Sequence, residues 1–258
     1  MSSRHAKAVQ TMTAISLPAL PVSLTHTLLD LPDNYVAPSW CADVIHEWNR
    51  EADLLAAKTY PTQSVLLEGP SGTGKTTAAR WIAKHLKKQL VSMNLSETIE
   101  SYMGATGSRI AAGIRYAQDN GVILVMDEID CLAASREAKS SDVGEIWRIT
   151  NTFIQTLDIW HTAPRRSLII ATTNMADSID KAIRRRFELE VRMGYATHAE
   201  LSKIAGVALP EGLEISHAEL RKHIVKARRY SVLHGVDYSL TLLSMISRGV
   251  VKSKESAA

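Results

Sequence analysis

The sequence predicts an α/β protein: a five-stranded, mostly parallel sheet between helices, followed by a small helical lid. Three observations carry that prediction. Strand-length apolar runs alternate with helix-length amphipathic stretches from residue 39 to about residue 194. Three of the runs, Val65-Leu66-Leu67, Val122-Ile123-Leu124-Val125 and Leu168-Ile169-Ile170, are continuously apolar, as central strands covered on both faces must be. After Gly194 the strand signal stops and helical periodicity takes over.

The elements follow in order. Residues 1–38 read as an irregular leader, punctuated by Pro18, Pro21, Pro32 and Pro38. The first 29 residues hold no Asp or Glu but include Arg4 and Lys7. That composition fits either an organellar transit segment or a partner-contacting arm. The arm is the reading adopted, in a cytoplasmic protein. From Ser39 to Lys58, Trp40, Val44, Ile45, Trp48, Leu54 and Leu55 recur at helical spacing, which predicts a helix leading into the domain. Strands are expected over residues 64–68, 89–94, 121–126, 167–172 and 187–193. The last alternates, with Phe187, Leu189, Val191 and Met193 on one side and Glu188, Glu190 and Arg192 on the other, so one face should meet water. Helices around residues 197–207, 216–229 and 237–248 make up the lid. The organisation is thus a leader (1–38), an α/β subdomain (39–194) and a helical lid (195–258).

Composition narrows the function classes. A net charge of +3 is too small to announce a nucleic-acid partner by itself. Cys41 and Cys131 fit no metal-ligand spacing and no disulfide framework, as expected of a reduced intracellular protein. No apolar run approaches the roughly 18 residues that a membrane span needs.

The chemistry is concentrated at strand ends. Gly69-Pro70-Ser71-Gly72-Thr73-Gly74-Lys75-Thr76 fits the phosphate-binding pattern G-x-x-x-x-G-K-[ST], follows the 64–68 strand and opens a helix with Thr77, Ala78 and Ala79. Glycines there let backbone N–H groups close around phosphate oxygens, and the positive helix end adds attraction. Lys75 can reach the β- and γ-phosphates of ATP, and the Thr76 hydroxyl can ligate Mg²⁺. The buried run 122–126 ends in Asp127-Glu128, at the edge where parallel sheets bind ligands. Asp127 suits Mg²⁺, and Glu128 suits orientation and deprotonation of an attacking water. A small-molecule kinase has no need of that second acid, so hydrolysis is expected. A third strand ends in Thr172-Thr173-Asn174, whose amide can hydrogen-bond the water or the γ-phosphate.

These residues, in this order, resemble an AAA+ module, and within it the AAA subfamily that includes membrane-anchored proteases and microtubule-severing enzymes. The likeness covers residues 62–193 well and the lid loosely. Gly69 to Thr76 corresponds to Walker A, Asp127-Glu128 to Walker B and Asn174 to sensor 1. Residues 126–136 resemble the subfamily's extended Walker B stretch. Asp180-Lys181-Ala182-Ile183-Arg184-Arg185-Arg186-Phe187 resembles its second homology region. The resemblance implies that Arg185 and Arg186 reach a neighbouring subunit's site as arginine fingers; Arg184 occupies a position that is commonly apolar. Glu100-Ser101-Tyr102-Met103-Gly104 resembles the pore-loop signature, which implies that Tyr102, Met103 and Gly104 grip an extended polypeptide. The implied assembly is a homo-oligomer of six subunits that remodels, unfolds or disassembles a protein. The alternative is a DNA-linked ATPase such as a loader or transposition regulator. Two departures stand out. The family's usual opening before Walker A is missing, leaving residues 36–40 to cover the adenine. In the lid, Gly235-Val236-Asp237 faintly resembles a Gly-Ala-Asp segment, without a clear sensor 2 arginine.

Overall fold

The structure, a computed structural model, describes residues 19–31, 35–101, 105–132, 142–162, 167–213 and 215–255. Its centre is a six-stranded sheet. In chain order the strands are β1 (Thr25–His26), β2 (Ser64–Glu68), β3 (Leu90–Asn94), β4 (Ile123–Asp127), β5 (Ile169–Thr173) and β6 (Leu189–Arg192). They lie side by side in the order β1-β3-β4-β5-β2-β6, all parallel except β1.

Side-chain alternation along each strand divides the interior into two cores. Val65, Leu67, Leu90, Ile123, Val125, Leu168 and Ile170 face one side, where helices α1 (Ser39–Asn49) and α3 (Lys75–Leu86) contribute Val44, Trp48, Ala79 and Ile82. Leu66, Val91, Met93, Leu124, Met126 and Ile169 are packed with α5 (Thr106–Asn120) and α6 (Asp142–Thr162) through Ile110, Ile114, Phe153 and Leu157. The central strands are therefore buried on both faces, which is why their sequences carry no polar alternation. β6, at the edge, does alternate: Leu189 and Val191 pack against the first core while Glu190 and Arg192 are exposed. Phe187 departs from the expected alternation. A turn in which its N–H donates to the Arg184 carbonyl (2.9 Å) precedes the strand, and the ring enters the opposite core.

The leader is not wholly irregular. Thr25 and His26 pair antiparallel with Ser92 and Val91, satisfying the open edge of β3, and Leu24 is buried in the core. The predicted leading helix is two, α1 and α2 (Glu51–Ala56), because the backbone leaves helical geometry at Arg50. β3 is followed by α4 (Leu95–Ser101), and α7 (Lys181–Arg184) is a single turn capped by the Asp180 side chain. At the C-terminal end α8 (His198–Ala205), α9 (His217–His234) and α10 (Tyr238–Glu255) pack around their own core of Leu201, Ile204, Leu220, Ile224, Leu242 and Ile246. Full capping boxes start α8 (Thr197 with Glu200) and α9 (Ser216 with Glu219). Among the described residues no helix is long and apolar enough to cross a membrane.

Candidate nucleotide site

The C-terminal ends of β2, β4 and β5 converge on one cavity of about 960 Å³, within the usual range for small-molecule sites. The loop after β2 forms its floor. Gly69 has φ +147° and lies so close to β6 that a Cβ there would stand 2.0 Å from the Met193 carbonyl oxygen, so no side chain fits. Gly72, at φ +82°, is packed under Ser216 and Ala218, where a Cβ would meet atoms at 3.1–3.3 Å. The loop's N–H groups and the first turn of α3 thus form the kind of cradle that accepts phosphate.

Lys75, 8% exposed, donates to the carbonyls of Gly69 (2.6 Å) and Pro70 (2.9 Å) and to Asn174 Oδ1 (2.8 Å). Burial pushes its ammonium below the ordinary lysine value, against the opposing pull of Asp127 and Asp130. Thr76 Oγ1 donates to Asp127 Oδ1 (3.3 Å), and so does Thr172 Oγ1 (3.0 Å). The Glu128 N–H donates in turn to Thr172 Oγ1 (3.3 Å). Glu128 has φ +61°, a backbone region that non-glycine residues rarely occupy, and its side chain lines the cavity. Thr173 Oγ1 (3.0 Å) and the Asn174 N–H (3.3 Å) both donate to Asp130 Oδ1.

Lys75, Thr76, Thr77, Asp127, Glu128 and Asn174, singled out in the sequence, therefore line one cavity with Ser71, Gly72 and Gly74. Thr172 and Asp130 went unrecognised. Thr172 holds the Asp127 carboxylate and the Glu128 backbone, and Asp130 holds the Asn174 backbone; the polar run Thr172-Thr173-Asn174 at the end of a buried strand is the signal that could have found Thr172. Residues from outside the sheet were also missed. Leu31 and Tyr35 line the cavity, just before the segment 36–40 expected to cover the base. From α9, Ala218, Arg221, Lys222, Val225, Arg228 and Arg229 form a cationic wall. His217 Nδ1 lies 3.0 Å from the Thr73 carbonyl, so that nitrogen carries the proton and donates. In the segment Gly235-Val236-Asp237, Gly235 caps the C-terminus of α9, while Ser216, His217 and Ala218 touch the phosphate loop.

The arginine triplet runs from the end of α7 toward β6. Arg185 is exposed and, among the described residues, its side chain makes no bond. Arg186 is held to Asp158 of α6, with Nε and Nη2 donating at 2.9 and 3.2 Å. Tyr102, Met103 and Gly104 lie outside the described residues.

The ATPase family associated with various cellular activities (AAA) matches residues 65–195, just over half of the chain, and the chain belongs to that family. It is an ATPase that binds and hydrolyses ATP. It is similar to the 26S proteasome regulatory subunit 10B homolog A of Arabidopsis thaliana, with 30% identity over 200 residues, covering 69% of this chain and 49% of that protein. It is also similar to fidgetin-like protein 1 of Drosophila melanogaster, at 31% over 157 residues, 60% of this chain and 30% of that one. The chain spans half or less of the length of these relatives. Among solved structures, the FIGL-1 AAA domain in complex with ADP has the same fold, with a TM-score of 0.64 over 89% of this chain and 87% of that one, at 20% identity.

Proposed function

We propose that the chain uses ATP hydrolysis to remodel, unfold or disassemble a protein, as a subunit of a ring of like chains with six members. The observation that carries the catalytic half is the convergence of Lys75, Asp127, Glu128 and Asn174 on one cavity floored by the 69–76 loop. In this reading the loop N–H groups and Lys75 bind the β- and γ-phosphates, Lys75 exchanging its present oxygen partners for phosphate oxygens. Glu128 takes the proton of the attacking water, and Asn174, released by Lys75 in that exchange, orients the water against the γ-phosphate.

Thr76 and Asp127 fit Mg²⁺. Their oxygens lie 3.3 Å apart, and among the described residues no larger cluster of acids, histidines or cysteines surrounds them. Such a sparse set suits an ion held mainly by phosphates and water. When bound, Mg²⁺ would neutralise charge on the β- and γ-oxygens. The helical region 195–258 acts as a lid: the His217 bond to Thr73 and the packing of Ser216 and Ala218 on Gly72 support a closure that senses the loop's state. Arg185, exposed and unengaged, is the better placed finger for a neighbouring site; Arg186 serves the turn through Asp158.

The remodelling half is supported by relatives named as proteasome regulatory and fidgetin-like proteins. Its test is hydrolysis measured alone, with an unfolded polypeptide and with DNA. Stimulation by the polypeptide is expected; stimulation by DNA alone would hand the function to the DNA-linked class. The same assay on Tyr102→Ala should show basal turnover retained and the polypeptide response lost.

A further inference from the structure

Arg184 is the member of the triplet that folds inward. Its guanidinium pairs with Glu68 and with Glu190 (2.6 Å), and its second terminal nitrogen donates to the Ala176 carbonyl. The Glu68 contact is an ion pair rather than a well-angled hydrogen bond. Glu68 is the last residue of β2, 3% exposed, and its chain runs directly into Gly69, where the phosphate loop opens. A second cation, Arg192, stands 3.8 Å from its other oxygen but is largely in solvent. The compensation of that buried carboxylate therefore falls to Arg184. Ala176 begins the short turn after Asn174, and Glu190 belongs to β6.

One side chain thus joins three things: the foot of the phosphate loop, the loop behind Asn174 and the edge strand. Its own backbone is the last residue of α7, one peptide bond from Arg185. The other flank of the turn is fixed by Arg186 on Asp158. A shift of Gly69 or of the Asn174 loop must therefore move Arg184 or break its bonds, and a shift of Arg184 re-aims Arg185. Packing alone would not need this. An apolar residue at 184 with a neutral one at 68 would fill the same space without a buried charge.

We infer that Arg184 is a positioning residue that couples a subunit's own phosphate loop to the aim of the Arg185 it offers to its neighbour. The inference rests on the reading of Arg185 as a finger acting in trans. Arg184 touches no substrate; it acts through Arg185.

The test is a double-mutant cycle in the full chain. Arg184→Gln should bind a fluorescent ATP analogue with nearly unchanged affinity, while its kcat falls about tenfold, within the usual range of coupling between sites. Arg184→Lys should recover part of that loss. The double variant Arg184→Gln/Arg185→Ala should be no slower than Arg185→Ala alone, because one acts through the other. Losses that multiply would overturn the proposal and assign Arg184 to its own site. An unchanged kcat in Arg185→Ala would instead bring down the finger reading, and this inference with it, a result distinct from multiplication. The pair Arg184→Gln/Glu68→Gln leaves no lone buried carboxylate, so it should melt near the wild-type temperature yet keep the low kcat. It also carries the test if Arg184→Gln alone does not fold. Wild-type kcat in that pair would reduce the bridge to a structural one.

Discussion

In the sheet body, neighbouring residues of one strand belong to different cores, so Val65 and Leu67 face α1 and α3 while Leu66 faces α5 and α6. In the C-terminal lid a single core around Leu220 and Leu242 holds three helices, and capping boxes set where two of them begin. The body fixes its functional groups by backbone geometry: the crowded Gly69, the left-handed Glu128, the Lys75 bonds to its own loop. The helical region touches the phosphate loop through the side chains of His217, Ser216 and Ala218 at the start of α9, and lines the rest of the cavity with that helix's cationic face. In the proposed cycle chemistry needs fixed atoms and closure needs a movable wall, and the two regions differ in that sense.

The sharpest separation comes from the body. Lys75→Ala should abolish nucleotide binding, since it removes a desolvated cation with three oxygen partners. Glu128→Gln should instead keep binding and lower turnover by roughly 10²- to 10⁴-fold, the usual contribution of a positioned base. Equilibrium binding and single-turnover hydrolysis on both variants distinguish the two, and a Glu128→Gln protein that turns over normally would break the assignment.

A core deletion in the lid should behave differently. Leu220→Ala is expected to cost about 2–5 kcal/mol, confined to the lid. Hydrogen exchange should then show α8–α10 opening while the strands stay protected, with nucleotide affinity weakened but slow turnover retained. Loss of protection in β4 as well would mean that the two regions fold as one.

His217→Ala removes one bond to the phosphate loop and should weaken nucleotide binding by about tenfold, the loss of some 1.4 kcal/mol, without a large drop in melting temperature. Calorimetric titration with ADP reads it directly.

The smallest effect concerns the caps. Glu200 and Glu219 sit below the ordinary glutamate range because the N–H groups and hydroxyls of Thr197 and Ser216 donate to them. Their folded values are depressed, so this stabilisation is present above about 4.3, the unfolded glutamate value. It is lost as pH falls through the folded values. The melting temperatures of wild type and Glu219→Gln should accordingly differ at neutral pH and converge in acid. A difference that persists at low pH would place its origin elsewhere.

The same contrast explains what could be read in the sequence. Strands buried on both faces and a loop that must be glycine at Gly69 and Gly72 leave compulsory residues, so the body and Lys75, Asp127, Glu128 and Asn174 were legible. Thr172 and Asp130 were not, because a threonine in a strand and an acid in a turn have ordinary structural uses. The contact of the helical region with the phosphate loop was not legible either, because Ser216-His217-Ala218 is an ordinary helix start, and only its position against Gly72 gives it meaning. The edge strand Thr25–His26 is two residues long, too short for any periodicity to reveal.

In the proposed ring, each site is completed by a neighbour's Arg185. Arg185→Ala and Glu128→Gln chains should each hydrolyse little ATP on their own. Mixed and reassembled, they create interfaces that pair an intact Glu128 with an intact Arg185, and hydrolysis should rise well above the sum of the separate proteins. A mixture no more active than its components, from chains shown to co-assemble, would contradict a shared site.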